Sequence, residues 1–285
     1  MNKILYYQPS DYQPRGALAP ASVPVVLAVC GADPSGGAGI QADIETLASM
    51  GCHTAPIITA LTAQNTRESM GYQPTDPALI ERQLALLSAE LHIAACKIGM
   101  IASAEIATAV HQVLAAHPEI PVVLDPVLAA GSGGALSNDA TRAALIRELI
   151  PLATLVTPNS EEARQLVPHA KTLDECATAL LALGAEYVLI TGTHERTPAV
   201  VNALYGEGRL IESWSWERLP GSYHGSGCTL AAAIAGLLAG GASPEDAVRE
   251  AQEYTWESLR QSYVISQRGQ RIPNRLFWAQ QNRFR

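Results

Sequence analysis

No two of the five cysteines (Cys30, Cys52, Cys96, Cys176, Cys228) stand in a C-x-x-C spacing, and their number is odd. That argues against a disulfide framework and against a structural zinc site, and reduced thiols fit a cytoplasmic protein. No apolar stretch is long enough to span a bilayer, so a membrane is not an expected partner. The apolar run from Pro24 to Gly31 is short and leads straight into a glycine-rich turn, which reads as a buried strand rather than a signal segment. Basic residues are in the minority, with a net charge of −8. A nucleic-acid binder carries a basic footprint instead. An anionic small molecule stays open, because a pocket holds local donors that the total charge hides. A Walker A loop is lacking: the pair Lys171-Thr172 has no glycine loop before it. His53, His92, His111, His117 and His169 show no metal-ligand spacing. Internal repeats and linkers are absent too, so the chain reads as one domain.

What is present is an apolar chain, 48% hydrophobic over 285 residues, long enough for a substantial core. Short apolar runs at Val25–Cys30, Ala55–Ile58, Ala95–Ile98, Val122–Leu124, Thr154–Val156 and Tyr187–Ile190 predict strands. Helical patterns alternate with them at Pro77–Ala89, Ser103–Ala116, Asp139–Leu149, Glu161–Leu166 and Leu173–Leu183. The alternation predicts an α/β fold, a mostly parallel central sheet with helices on both faces. Val200–Leu204 and Arg209–Trp216 have no helix between them and predict a small antiparallel edge hairpin. Leu230 to Ala239 is apolar all round, which predicts a buried helix, and Ser243 caps a last helix from Pro244 to about Gln261. Residues 1–23 read as a loosely ordered extension, 24–262 as the domain, and 263–285 as an Arg-rich, solvated tail.

Ligands of a doubly wound sheet lie beyond the carboxyl ends of its strands, which directs attention to the glycine turns. Gly225-Ser226-Gly227 opens the buried helix. A helix N-terminus offers unpaired N–H groups and a positive dipole end, and glycine lets an anion approach that backbone. Such a turn can hold the charge of a transferring phosphoryl group. Cys228 follows in the first helical turn, where a thiol pKa is lowered, so it could take a proton from an attacking hydroxyl. The plain alternative is a tight turn with a structural cysteine. Gly37-Ala38-Gly39-Ile40-Gln41-Ala42 fits a dinucleotide fingerprint, but Thr54 to Thr66 lacks the acidic residue which that reading needs. Asn159 and Glu162 have capping-box spacing; their functional reading is a Mg²⁺–phosphate network with Glu162 acting through water. Asp125 ends a strand where a carboxylate could serve metal or nucleotide. Gln64 carries a donor and an acceptor that could read a heteroaromatic ring, and Met100 could pack on that ring.

Taken together, six stretches resemble the bacterial hydroxymethylpyrimidine/phosphomethylpyrimidine kinases of thiamine biosynthesis. They are Val29–Asp43 (VCGADPSGGAGIQAD), Ile58–Thr66 (ITALTAQNT), Lys97–Met100, Leu124–Val127, Thr157–Asn159 and His224–Thr229 (HGSGCT), in order along most of the chain. The resemblance implies a ribokinase-like fold. It implies two ATP-dependent phosphorylations, first of the pyrimidine's hydroxymethyl group and then of the monophosphate, with ATP and Mg²⁺ as cofactors. It assigns Gln64, Met100, Gly31 and Asp33 to the substrate, and Gly225, Ser226 and Gly227 to an anion hole. Cys228 takes the place of the base, and Asp125, Asn159, Glu162, Thr191 and Gly192 lie at the nucleotide and its metal. A homodimer is the expected assembly. This chain departs from the family at Ala130-Gly131-Ser132-Gly133-Gly134 and at Thr191-Gly192-Thr193-His194, where relatives carry lysines. A pyridoxal or pyridoxamine kinase is the nearest alternative. An NAD(P)-dependent oxidoreductase and a non-catalytic pyrimidine-binding regulator are more distant ones.

Overall fold

The computed structural model describes residues 23–129 and 136–280. The sequence up to residue 22, the loop Ala130–Gly134 and the tail arginines Arg283 and Arg285 lie outside them. Among the described residues no helix is long and apolar enough to cross a membrane.

Strand β1 (Val25–Ala32) is buried along nearly its whole length, as expected of a strand covered on both faces. It pairs in parallel with β2 (His53–Gln64) and with β4 (Ile93–Ile98). The other strands are β3 (Ser69–Pro74), β5 (Val122–Leu124), β6 (Leu155–Val156), β7 (Tyr187–Thr191), β8 (Ala199–Gly206) and β9 (Arg209–Glu217). Their order is β3-β2-β1-β4-β5-β6-β7-β8-β9. From β1 the chain first builds outward to β2 and β3, then crosses back to β4 and builds the other way. The strand order therefore reverses between β1 and β4, and a crevice opens there beyond the carboxyl ends. The β8–β9 hairpin is antiparallel at one edge, as its sequence predicts. At the other edge β3 runs antiparallel to β2. Sequence patterning does not predict β3, because Ser69-Met-Gly-Tyr-Gln-Pro74 sits half-exposed and shows no apolar alternation.

The helices are α1 (Gly39–Ser49), α2 (Pro77–Glu90), α3 (Ala104–Leu114), α4 (Asp139–Ala144), α5 (Ser160–Leu166), α6 (Leu173–Ala182), α7 (Ser226–Ala239), α8 (Pro244–Arg260) and α9 (Phe277–Gln280). After α4, residues Leu145–Leu152 continue as wider and then tighter turns. Helix α7 is the central one. Every residue from Cys228 to Gly236 is buried, and it packs on β1, β4, β5, α1 and α8. Ser243 caps α8 through Asp246 N–H. All five cysteines are free and buried.

Residues 263–268 are exposed, as in a solvated tail, but from 269 to 279 the segment is partly or fully buried except at Leu276. Ile272 and Tyr263 exchange backbone hydrogen bonds of 2.8 and 3.0 Å. Phe277 packs on Tyr254, and Arg275 is buried, 1% exposed. Counting charges along the tail does not reveal this, since an arginine can be internal once its donors are matched.

Candidate active site

A cavity of about 710 Å³ opens at the β1/β4 crevice. One end is formed by Gly31, Gln64 and Met100, and the other by Thr191, Trp216, Gln252 and Trp256. Asp125, Glu162 and the turn His224–Cys228 lie between them. Gln64 sits at the end of β2 and Met100 just past β4. Asp125 follows β5, Asn159 follows β6, and Thr191 ends β7. Parallel strands with consecutive crossovers bring all of these to one edge of the sheet.

At the first end, Gly31 lies against Met100: a Cβ there would lie 2.8 Å from Met100 Sδ, so the thioether would have to shift. Met100 is held in turn by Thr59, whose hydroxyl donates to Met100 O at 2.6 Å. The Oε1 of Gln64 is buried and has no hydrogen-bond partner within the protein. A buried acceptor without a partner costs roughly 1–3 kcal/mol, so this oxygen is poised for an incoming donor.

Asp33 lines the cavity and also holds two loops together. Its side chain accepts from Ser35 N–H, Ser35 Oγ and Ala38 N–H at 2.8 to 2.9 Å. His224 Nε2 lies 2.8 Å from Oδ2 and donates to it. Burial works against the carboxylate charge, but the His224 ring and Ser35 outweigh it and hold the group at about 2. Both oxygens are engaged inside the protein, so Asp33 latches the first glycine loop to the turn before α7. Gly37 allows the latch, since its Cβ would fall 2.3 Å from the His224 ring.

The turn itself is built on Gly225 at φ +81°, in the left-handed region that favours glycine. A Cβ there would meet Gly37 O at 2.1 Å. Thr229 N–H returns to Gly225 O at 2.9 Å, which leaves the N–H groups of Ser226, Gly227 and Cys228 as the open donors of α7. Helix α7 has no side-chain cap. The Asp125 carboxylate stands over Gly227, 3.7 and 3.9 Å from where its Cβ would be.

Beneath Cys228 lies a cluster that sequence reasoning missed. Lys97 Nζ is fully buried, 2.8 and 2.9 Å from the two oxygens of Asp43 and 3.8 Å from Cys30 Sγ. Burial alone would discharge Lys97; Asp43 and, with smaller contributions, Cys30, Cys228 and Asp125 together outweigh it and lift the ammonium well above its ordinary range. A hydrogen bond from the Cys30 thiol lowers the Cys228 thiol, and the Lys97 charge adds to this, against burial and Asp125. The counterpart is Cys30, raised well above its ordinary value and keeping its proton. Gly99 makes room: its Cβ would lie 2.5 Å from Cys30 Sγ and 2.6 Å from Lys97 Nζ.

Asn159 and Glu162 form the capping box of α5. Asn159 Oδ1 accepts from Glu161 and Glu162 N–H, and Glu162 Oε2 accepts from Asn159 N–H. Both also face the cavity. Burial, followed by the nearby Asp125 charge, pushes Glu162 up to about 8. Burial pushes Asp125 up to about 6, against the pull of Lys97. Two carboxyls at this spot crowd negative charge, and no cluster of three or more metal-binding side chains occurs among the described residues. Thr191 lines the cavity, whereas Gly192 is not among the residues facing it and gives its N–H to Asn202 Oδ1 at 3.1 Å. Nearby, Arg218 donates to the carbonyls of Thr193, Glu195 and Thr197.

Residues 33–272 match the family model described as phosphomethylpyrimidine kinase. A hydroxymethylpyrimidine/phosphomethylpyrimidine kinase of Escherichia coli (strain K12) is 37% identical over 247 residues, which cover 84% of this chain and 92% of that protein. A crystal structure of phosphomethylpyrimidine kinase from Clostridium difficile 630 superposes with a TM-score of 0.72 at 32% identity, over 83% of this chain and 99% of that one. The pyridoxal kinase from Staphylococcus aureus in complex with AMP-PCP and pyridoxal gives a TM-score of 0.81 at 28% identity, over 90% and 95%. The architecture is thus the ribokinase-like one that these kinases share.

Proposed function

The chain belongs to the phosphomethylpyrimidine kinase family, and from that membership we propose that it phosphorylates 4-amino-5-hydroxymethyl-2-methylpyrimidine with ATP and then phosphorylates the monophosphate. The observation that carries the choice of substrate is the buried, unpartnered Gln64 Oε1 beside Met100. An aminopyrimidine offers an amino N–H next to a ring nitrogen. A side-chain amide matches that pair with its carbonyl and its N–H. Met100 supplies a polarizable surface for the ring.

The pyrimidine's hydroxymethyl group then points toward Cys228. The thiolate-prone Cys228 takes the hydroxyl proton as the oxygen attacks the γ-phosphorus of ATP, whose bond to the β,γ-bridging oxygen breaks so that ADP leaves. Open N–H groups at Ser226 and Gly227 receive the charge that spreads over the transferring phosphoryl oxygens. The nucleotide extends toward Thr191, and the apolar end walled by Trp216 and Trp256 suits its base. Asp125 and Glu162 fit a divalent cation. Both are buried carboxyls with raised pKa, and a cation held there would offset their crowding. Asp125 and Glu162 would hold Mg²⁺ there, Glu162 through water because it is already engaged with the backbone, and the ion would supply charge neutralisation for the phosphates.

One assay tests the reading: ADP release measured in parallel with the pyrimidine, its monophosphate and pyridoxal. Turnover is expected with the two pyrimidines in excess of pyridoxal. Preference for pyridoxal would overturn the substrate assignment in favour of the second reading, which the likeness to pyridoxal kinases motivates.

A further inference from the structure

Arg275 lies beyond the family-matched residues 33–272, in a segment that the sequence reads as tail, yet its side chain is fully buried. Its guanidinium joins three elements. Nη2 donates to Gly37 O, at 2.5 Å, in the first glycine loop. Nε donates to Thr229 Oγ1 at 2.9 Å in the first turns of α7. Nη1 pairs with Glu45 of α1 at 3.0 Å. Thr229 Oγ1 passes the contact on, donating to Gly225 O at 2.8 Å. Arg275 is thereby linked to both sides of the contact between Gly225 and Gly37 O, where a Cβ on Gly225 would not fit.

The backbone around Arg275 adds further ties. Arg271 O accepts from His224 N–H, and Ser222 O accepts from Arg271 N–H, each at 2.9 Å. Gln270 N–H donates to Thr66 O at 2.9 Å, just past the Gln64 strand end. The Tyr254 hydroxyl donates to Arg275 O at 2.6 Å. This segment therefore runs between the substrate end of the cavity and the anion hole. A buried guanidinium has a rigid fork of donors, so it fixes the relative placement of the groups it bridges. Small displacements matter here, since misplacing reacting groups by about 1 Å can cost 10²-fold in rate.

We propose that Arg275 is a positioning residue for phosphoryl transfer, holding the α7 N-terminal donors against the first glycine loop without touching substrate. This rests on the kinase reading above. The test is steady-state kinetics on full-length Arg275→Ala, Arg275→Lys and Thr229→Val, with folding followed by circular dichroism and melting. In Arg275→Ala, kcat should fall on the order of 10²-fold while KM for acceptor and for ATP moves far less. Arg275→Lys should be intermediate, and guanidinium ion at non-denaturing concentration should restore part of the Arg275→Ala rate. Thr229→Val, which cuts the link to Gly225 O, should lower kcat in the same sense. A folded Arg275→Ala with parental kcat overturns the proposal, as does a rate loss that guanidinium does not relieve. Should Arg275→Ala not fold, Thr229→Val decides, and unchanged kcat refutes the idea. Each effect is read as variant over parent, with whichever acceptor the parent turns over or with water in ATP hydrolysis. A parent inactive on pyrimidines then sinks the proposed function alone.

Discussion

Cys228 is the residue to which the proposed mechanism gives the role of base, and its environment says what to expect of it. Its thiol is buried, which by itself disfavours a thiolate. The Cys30 hydrogen bond and the Lys97 charge override that burial. Replacing Cys228 by Ala is expected to lower kcat by about 10² to 10⁴-fold, the usual range for a general base. KM for ATP should hardly move, because the glycine donors remain. Unchanged turnover would remove Cys228 from the mechanism. At the other end of the cavity, Gln64→Ala removes the amide that is proposed to pair with the ring. Pyrimidine affinity should weaken by about 1–3 kcal/mol, read by calorimetric titration, with ATP affinity as the control. The carboxyl pair gives a pH signature. Folding raises Glu162 from 4.5 to about 8, so the folded state holds this proton more tightly than the unfolded chain does. The contribution is complete below about 4.5 and fades as pH rises through 8. The melting temperature of the protein without nucleotide should decline across that interval, and added Mg²⁺ with ADP should flatten the decline. A melting temperature indifferent to pH between 6 and 8.5 would contradict the buried carboxyl pair.

Among the elements, α7 and the turn before it concentrate the constraints. Gly225 combines a positive φ with a position where a Cβ would meet Gly37 O at 2.1 Å. A side chain in the left-handed region costs roughly 1–2 kcal/mol before any clash is counted. Gly225→Ala should therefore lose stability and at least tenfold in kcat together, checked by melting and ADP release on one preparation. Much of this element level is legible in the chain. Strand runs of Val, Ile and Leu, the Asn159–Glu162 capping box and the all-apolar α7 each announce themselves by local pattern. What stays hidden depends on partners far apart in sequence. Lys97 finds Asp43 and Cys30 only because β4 and α1 pack on β1, at separations of 54 and 67 residues. Strand β3 is hidden for another reason: it lies at an edge, half-exposed, and its pairing with β2 needs no apolar period.

At the scale of the molecule, the sheet order places the cavity and the C-terminal segment closes its flank. The strand alternation in the sequence implies the first. Nothing in local composition implies the second, because an arginine-rich stretch reads as solvated until its partners are known. The structure gives residues 272–278 a share in the core: Ile272 and Phe277 are 2% and 5% exposed, Arg275 is 1% exposed, and Trp278 Nε1 donates to Ser49 Oγ at 2.7 Å. Burying one large apolar side chain contributes roughly 1.5–3 kcal/mol. Losing Ile272 and Phe277 together would remove several kcal/mol from a domain whose net stability is about 5–15 kcal/mol. Deletion would also strand Glu45, Thr229 and Gly37 O without their shared donor. A chain ended after Ser262 is therefore expected to lose its near-ultraviolet circular dichroism and its cooperative melting, and to release no ADP with any acceptor. If such a chain melts at the parental temperature and keeps its turnover, the segment is a tail after all, and the coupling of the C-terminal residues to the anion hole falls with it.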